Sequence, residues 1–150
     1  MKRLRDIPGL STESGTAVVE FTLVLPLLLV LVLGALDLGK AFNYWIDETH
    51  LAHEGARFAA VDKNPGGGAT LQESIKERAN TPELEGALQV CISFPNGPTV
   101  GEPVEVEVRS TYNFLSFISG ELSIAPDKEL RATSTMRLER PPTNIAAGCA

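Results

Sequence analysis

The first third of the chain contains a long apolar run that is interrupted by one charged side chain. Residues 21–36 hold no charge, and the apolar character extends back to Thr16 with Glu20 as the exception. Twenty-one helical residues rise roughly 31 Å, close to the ~30 Å hydrocarbon core of a bilayer. Transfer of about a dozen Leu, Val and Phe side chains into lipid outweighs one acid near the edge. The pattern predicts a membrane-spanning helix.

Beyond this run the pattern becomes amphipathic without a break. Apolar or small residues recur at alternating spacings of four and three, which predicts that one helix continues over residues 16–61. We interpret this stripe as a packing surface against the chain's own domain or a neighbouring helix, with the polar residues on the other faces. Gly55 interrupts it at a cost of about 1 kcal/mol. The stripe consists of Leu38, Phe42, Trp45, Thr49, Ala52, Ala56 and Ala59.

Aromatic residues follow the apolar run closely. Phe42, Tyr44 and Trp45 fall where an outer aromatic belt would anchor a membrane helix. Pro26 lies inside the run, where it predicts either a flexible point in the helix or an ordinary tolerated membrane proline.

The next segment is predicted to be a flexible connection followed by a short helix. Residues 62–69 contain one proline and three glycines. Thr70 and Glu73 then form a capping-box pattern, which predicts a helix with Leu71, Ile75 and Ala79 facing inward and an end near residues 80–82.

Most of the remaining sequence has the alternation of β-strands. Residues 88–93 are largely apolar and precede a turn cluster, and Val104, Val106 and Val108 alternate with charged residues. Residues 130–138 repeat that alternation. Between these strands, Phe114, Leu115, Phe117 and Ile118 form either a plug in the core, which we favour, or an exposed patch.

These elements together predict an α+β fold. A long N-terminal transmembrane and amphipathic helix is followed by a small antiparallel β domain over residues 70–140 and a C-terminal tail over 141–150.

Charge is distributed unevenly about the predicted span. Residues 1–15 carry a net charge of +1 and the rest of the chain −7. An acidic domain argues against nucleic-acid binding, and basic residues before the span favour a cytoplasmic N-terminus and an extracytoplasmic C-terminal domain. If that domain lies outside, Cys91 and Cys149 can form a disulfide. The alternative is two unpaired thiols, with Cys149 in a disordered tail.

Candidate chemistry is sparse. His50, His53 and Glu54 match neither zinc-hydrolase order, and we interpret them as a solvated helix face. We found no nucleophile elbow, CxxC pair or dinucleotide fingerprint. We expect a protein that is not an enzyme and uses no metal or cofactor.

The start of the apolar helix resembles the processing site of type IV pilin precursors. A short basic leader ends at Gly15, and Glu20 and Phe21 follow at the spacing those precursors use. The resemblance implies cleavage after Gly15 by a prepilin peptidase, which would make Thr16 the new N-terminus and Glu20 the fifth residue. A cleaved secretory signal is the alternative, but the helical pattern continues past Asp37.

The wider stretch resembles the TadE-like family of minor pseudopilins from the tight-adherence (Flp) pilus system. The similarity covers roughly residues 14–61 and rests on Gly15, Glu20-Phe21, the LVLPLLL run, Asp37-x-Gly39-Lys40 and Glu54-Gly55-Ala56-Arg57. Residues 101–114 and 130–139 resemble a weaker C-terminal pattern of the family, and Thr16 departs from a more common alanine.

This resemblance implies a role in assembling Flp pili from the bacterial inner membrane. The implied partners are the prepilin peptidase, the pilin, other pseudopilins, the inner-membrane platform and the lipid bilayer, and the mature chain could enter the pilus. Glu20 would pair with the new amino group of a neighbouring subunit's Thr16. The alternatives are a Glu20 that only reaches the inner headgroups, and an uncleaved single-pass envelope protein whose outer domain binds another protein.

Overall fold

A computed structural model describes residues 12–63, 69–114, 127–143, 145 and 148–150. The chain divides into two compact units, Met1–Leu36 and Asp37–Ala150. Most of the predicted leader, the middle of the predicted connection, and Leu115, Phe117 and Ile118 lie outside the described residues. A long helix followed by a small antiparallel sheet confirms the predicted α+β class.

The first helix, α1, extends over Thr12–Ala60 with Pro26 inside it. It begins four residues before the predicted start at Thr16. It ends where Asp62 adopts a left-handed φ of 49°, and the Lys63 amide donates to the Phe58 carbonyl at 2.9 Å. The second half of α1 belongs to the same compact unit as the sheet.

In the described part of the first unit, α1 is apolar and little protein covers it. Nearly every side chain between residues 15 and 36 is exposed. This helix is long and apolar enough to cross a membrane. Such exposure is unfavourable in water and favourable in lipid, so the helix can serve as a membrane anchor.

Two short helices follow. The capping box at α2, Leu71–Lys76, is confirmed: the Thr70 hydroxyl accepts from the Glu73 amide, and the Glu73 carboxylate accepts from the Thr70 amide. The predicted end near residues 80–82 is wrong, because α2 stops at Lys76. A separate helix, α3, begins at Pro82 and extends over Pro82–Ala87. Thr81 caps α3 and Pro82 occupies its first turn, a start signal interpreted from the sequence as a stop.

Within the described residues, four antiparallel strands form one sheet in the order β3-β2-β1-β4. They are β1 (Gln89–Ser93), β2 (Pro103–Tyr112), β3 (Lys128–Arg137) and β4 (Gly148–Cys149). The predicted alternation is confirmed, because Val104, Val106 and Val108 are buried while their β2 neighbours are partly exposed. The inner face of the sheet packs into the core.

The core joins the second half of α1 to the two short helices and the inner face of the sheet. It consists of apolar side chains, many of them small, including Leu51, Ala52, Ala56, Phe58, Ala59, Leu71, Ile75, Leu84, Leu88, Val90, Ile92, Val104, Val106, Val108, Ala132 and Leu138. The C-terminal half of α1 is therefore part of the globular domain rather than a free stalk.

The C-terminal residues extend the sheet. Cys91 and Cys149 are direct partners across β1 and β4, with Cα atoms 3.9 Å apart, and their sulfur atoms form a disulfide. The neighbouring pair, Val90 and Ala150, exchanges both backbone hydrogen bonds at 3.0 Å. Residues 148–150 are thus held in the sheet, although the sequence pattern indicated only a tail.

Loss of the disulfide should weaken the domain. The bond closes a loop with a sequence separation of 58, so Cys149→Ser should lower the free energy of unfolding by about 4 kcal/mol through the entropy returned to the unfolded chain. Urea denaturation of the detergent-solubilised protein measures this. The double Cys91→Ser, Cys149→Ser variant is the control and should match the single one. Wild-type stability in both variants would contradict a stabilising bond.

Candidate functional site

The residues implicated in processing lie along one exposed helix. Gly15, Thr16, Glu20 and Phe21 are all within α1, and their side chains are exposed. Thr16 and Glu20 are separated by four residues and therefore lie on the same face of the helix. Because α1 begins at Thr12, the Gly15–Thr16 peptide bond lies inside the helix. Cleavage, and pairing with a second subunit, stay predictions.

A polar contact between α1 and the sheet begins at Asp37, directly after the apolar run. The Tyr112 hydroxyl donates to Asp37 Oδ1 at 2.8 Å and also contacts the Asp37 carbonyl oxygen at 3.2 Å. Both residues are buried. Burial and the adjacent Asp37 raise the pKa of Tyr112 well above its ordinary range, so the hydroxyl remains a donor. The ring also makes edge contacts with Tyr44 and Phe114.

A second acid of α1 lies deeper in the contact. Glu48 is fully buried, and its Oε1 accepts from the Ser110 hydroxyl at 2.5 Å. Its Oε2 is also buried and has no hydrogen-bond partner among the described residues. Burial raises the pKa of Glu48 to about 7, the Ser110 hydrogen bond opposes that shift, and the charge of Asp47 adds to it. Glu48 lies outside the apolar run, in the unit that contains the sheet.

The neighbouring Asp47 holds the segment between α2 and α3. Its two carboxylate oxygens accept from the backbone amide of Asn80 at 3.0 Å and from the Asn80 side chain at 2.5 Å. About two turns further along, Glu54 forms a surface salt bridge with Arg78. Acids of α1 therefore tie the helix to several parts of the domain.

The sequence-based assignment of the α1 faces is wrong at its N-terminal end. Leu38, Phe42 and Trp45 are exposed, and Asp37 and Glu48, predicted to lie on the polar face, are buried. The reason is that the inward face of β2 continues beyond the valines with two polar residues, Ser110 and Tyr112. Their hydroxyl groups donate hydrogen bonds to Glu48 and Asp37, so the acids of α1 face the sheet. Alternation continued through positions 104–112 is the signal that could have indicated this.

Further along α1 the contact becomes apolar and very close. Ala52, Ala56 and Ala59 are buried as predicted. Gly55 is buried too, and a Cβ there would lie 2.7 Å from Ile75 Cδ1 and 3.1 Å from Val106 Cγ1. Gly55 is therefore required by the close approach of helix and sheet, in addition to being a poor helix former.

The histidines show no arrangement for metal binding. His50 is exposed, and His53 Nδ1 lies 2.9 Å from the Ser134 hydroxyl. No group of three or more His, Cys, Asp or Glu side chains in the described part of the chain is placed to hold a metal ion.

A large side chain at Gly55 should separate the helix from the sheet. Gly55→Leu gains helix propensity but must displace Ile75 and Val106, so we expect the free energy of unfolding to fall by about 1–2 kcal/mol net. Gly39→Leu is the matched control, because nothing lies within 4 Å of a Cβ at Gly39. Urea denaturation compares the two. Equal stabilities would contradict the close packing.

Glu48 should make the stability of the domain depend on pH. Its pKa is about 7 in the folded state against 4.5 for the unfolded chain, so the folded domain holds the proton more tightly. The stability that this group contributes is full below pH 4.5 and is lost as the pH rises through about 7, by roughly 3 kcal/mol. Glu48→Gln should remove this loss, and Glu77→Gln, an exposed acid, should not. Denaturation at about pH 5 and pH 8 measures the difference. Parallel profiles for all three proteins would contradict it.

Comparison with known proteins supplies a family for the helix. Residues 15–57 match the model of the TadE-like protein family. Neither a curated protein nor a solved structure matches the chain. The matched segment contains the apolar run, Gly15, Glu20, and the acids Asp37 and Glu48 that contact the sheet. The match confirms, over residues 15–57, the resemblance to the TadE-like family inferred from the sequence.

Proposed function

We propose that this protein is a minor pseudopilin that assists the assembly of Tad/Flp-type pili and has no enzymatic activity. The observation that carries the proposal is the TadE-like match over residues 15–57. That family indicates a membrane protein related to the Tad pilus. The exposed apolar helix supports a single-pass anchor in the bacterial inner membrane.

The spacing of Gly15 and Glu20 supports processing. Cleavage after Gly15 by a prepilin peptidase would leave the apolar helix on the mature chain, with Thr16 at its N-terminus. The leader then remains in the cytoplasm, and the sheet domain, which contains a disulfide, lies on the oxidising side of the membrane. Partners in this role are the peptidase, the pilin, the other pseudopilins and the platform proteins.

Glu20 gives the mature helix a means of association. A carboxylate inside an apolar helix is expensive unless it is paired, and the new amino group of a neighbour's Thr16 is a suitable partner. Pairing would cancel both charges in a medium of low dielectric constant and set the axial offset between adjacent helices. We propose that this pair, rather than a simple contact with headgroups, explains Glu20.

The processing step can be tested directly. On co-expression with a prepilin peptidase, the wild-type chain should begin at Thr16, and Gly15→Leu should remain uncut because the peptidase reads a small residue at that position. Gly34→Leu is the control, since it makes a similar change in the same helix at an open site. N-terminal sequencing and intact mass measure cleavage. A mature chain that begins elsewhere, or remains whole, would overturn the proposal.

The pairing role predicts a split result for Glu20→Gln. Membrane insertion should persist because a neutral amide is easier to bury than a carboxylate. Cleavage should persist because the cleaved bond joins Gly15 to Thr16, before residue 20. Association should be lost, since removal of one member of a buried pair costs about 3–5 kcal/mol. Co-purification with pilus components and counts of pili per cell measure this, with Thr22→Val as the control. If the Glu20→Gln variant forms pili normally, the pairing role is wrong and Glu20 is an acid that reaches the inner headgroups.

The alternative is an uncleaved envelope protein whose outer domain binds another protein. It shares the anchor and the domain with the first proposal but predicts that residues 1–15 remain on the protein. The intact mass of the membrane-extracted chain separates the two.

A further inference from the structure

Beyond Leu36, one face of α1 remains apolar and exposed, while the opposite face turns toward the sheet. Leu38, Phe42 and Trp45 are 62%, 58% and 46% exposed, and the rings of Phe42 and Trp45 lie 5.7 Å apart. These three residues, which we call the outer stripe, face away from the sheet. On the sheet-facing side, Asp37 and Ala41 are already buried.

Aromatic residues concentrate around this part of the helix. Five of the eight aromatic residues in the described part of the chain lie on α1 at this level or in the ring contacts that continue from it: Phe42, Tyr44, Trp45, Tyr112 and Phe114. Lys40 places its Nζ 5.6 Å from the centre of the Tyr44 ring. Tyrosine, tryptophan and a nearby lysine are the residues that membrane proteins place at the level of lipid headgroups.

The length of the helix allows Phe42 and Trp45 to lie at the level of the lipid headgroups. Residues 21–40 rise roughly 30 Å, which equals the thickness of the hydrocarbon core. With Lys40 at the outer boundary, Phe42 and Trp45 lie about 3–8 Å farther along the helix, at the level of the headgroup layer, and a tilt within the usual range for membrane helices keeps Glu20 inside the core. Asp37 falls inside this span, and there the Tyr112 hydroxyl donates to its carboxylate.

We infer that the outer stripe lies in the outer headgroup layer of the bilayer, and that lipid is its occupant. The inference rests on the membrane anchoring proposed above. The stripe begins two residues after the apolar run, on the same helix. Its residues are large, whereas helices that pack together in membranes favour small residues at the contact. Lipid therefore fits this surface better than a second copy of the chain.

Trp45 is the single tryptophan of the chain, so its fluorescence reports the environment of the stripe. The full chain is reconstituted into phosphatidylcholine vesicles with bromine either near the headgroup or near the end of the acyl chains. Quenching of Trp45 should be stronger with the shallow bromine. A Phe42→Trp, Trp45→Phe variant should behave in the same way.

A Tyr44→Trp, Trp45→Phe variant is the matched control, because Tyr44 is partly buried against the core. Quenching by the shallow bromine should be weaker in this variant than in the wild type, because the ring at position 44 packs against the core. Quenching of Trp45 by aqueous iodide and not by lipid would overturn the inference, as would protection from both quenchers, which would indicate a protein partner. Flotation of the same vesicles reports anchoring separately. A chain that does not float defeats the proposed anchor, and a chain that floats with an unquenched Trp45 defeats only the lipid contact.

Discussion

The close contact between the second half of α1 and the inner face of the sheet is the constraint on which the folded domain depends. Small residues at positions 52, 55, 56 and 59 allow the helix backbone to approach the valines of β2. This contact removes apolar surface from water on both elements at once. Among the described residues, α1 supplies five of the sixteen buried side chains of the core: Leu51, Ala52, Ala56, Phe58 and Ala59.

The same contact changes its chemistry along the helix. Toward the C-terminus of α1 it is mainly apolar, whereas toward the apolar run Asp37, Asp47 and Glu48 accept hydrogen bonds from hydroxyl and amide donors of the domain. Apolar packing tolerates changes of pH, but a buried acid does not. The contact is therefore apolar at one end and contains a titratable buried acid, Glu48, at the other.

Much of the architecture was predictable because local signals coincide with the fold. The apolar run, the capping box at Thr70 and the alternation on β2 and β3 each reflect a single element, and each was confirmed. The burial of Asp37 and Glu48 was not predictable, because it depends on which residues of a distant strand face the helix. The apolar stripe from Leu38 to Trp45 suggested the opposite face, since an exposed apolar stripe and a buried one have the same pattern in the sequence. The pairing of residues 148–150 with β1 also depends on distant partners, and the tail itself has no strand pattern.

The attached C-terminal residues have a consequence for solubility. An open sheet exposes backbone donors and acceptors at its edges, and such edges recruit strands from other molecules. At one edge, the two-residue strand β4 occupies part of β1, and the disulfide keeps it there although so short a strand is weak by itself. At the other edge, β3 carries the exposed charges Lys128, Glu129, Arg131 and Arg137. The disulfide-linked strand β4 at one edge and the exposed charges of β3 at the other therefore disfavour aggregation through strand pairing.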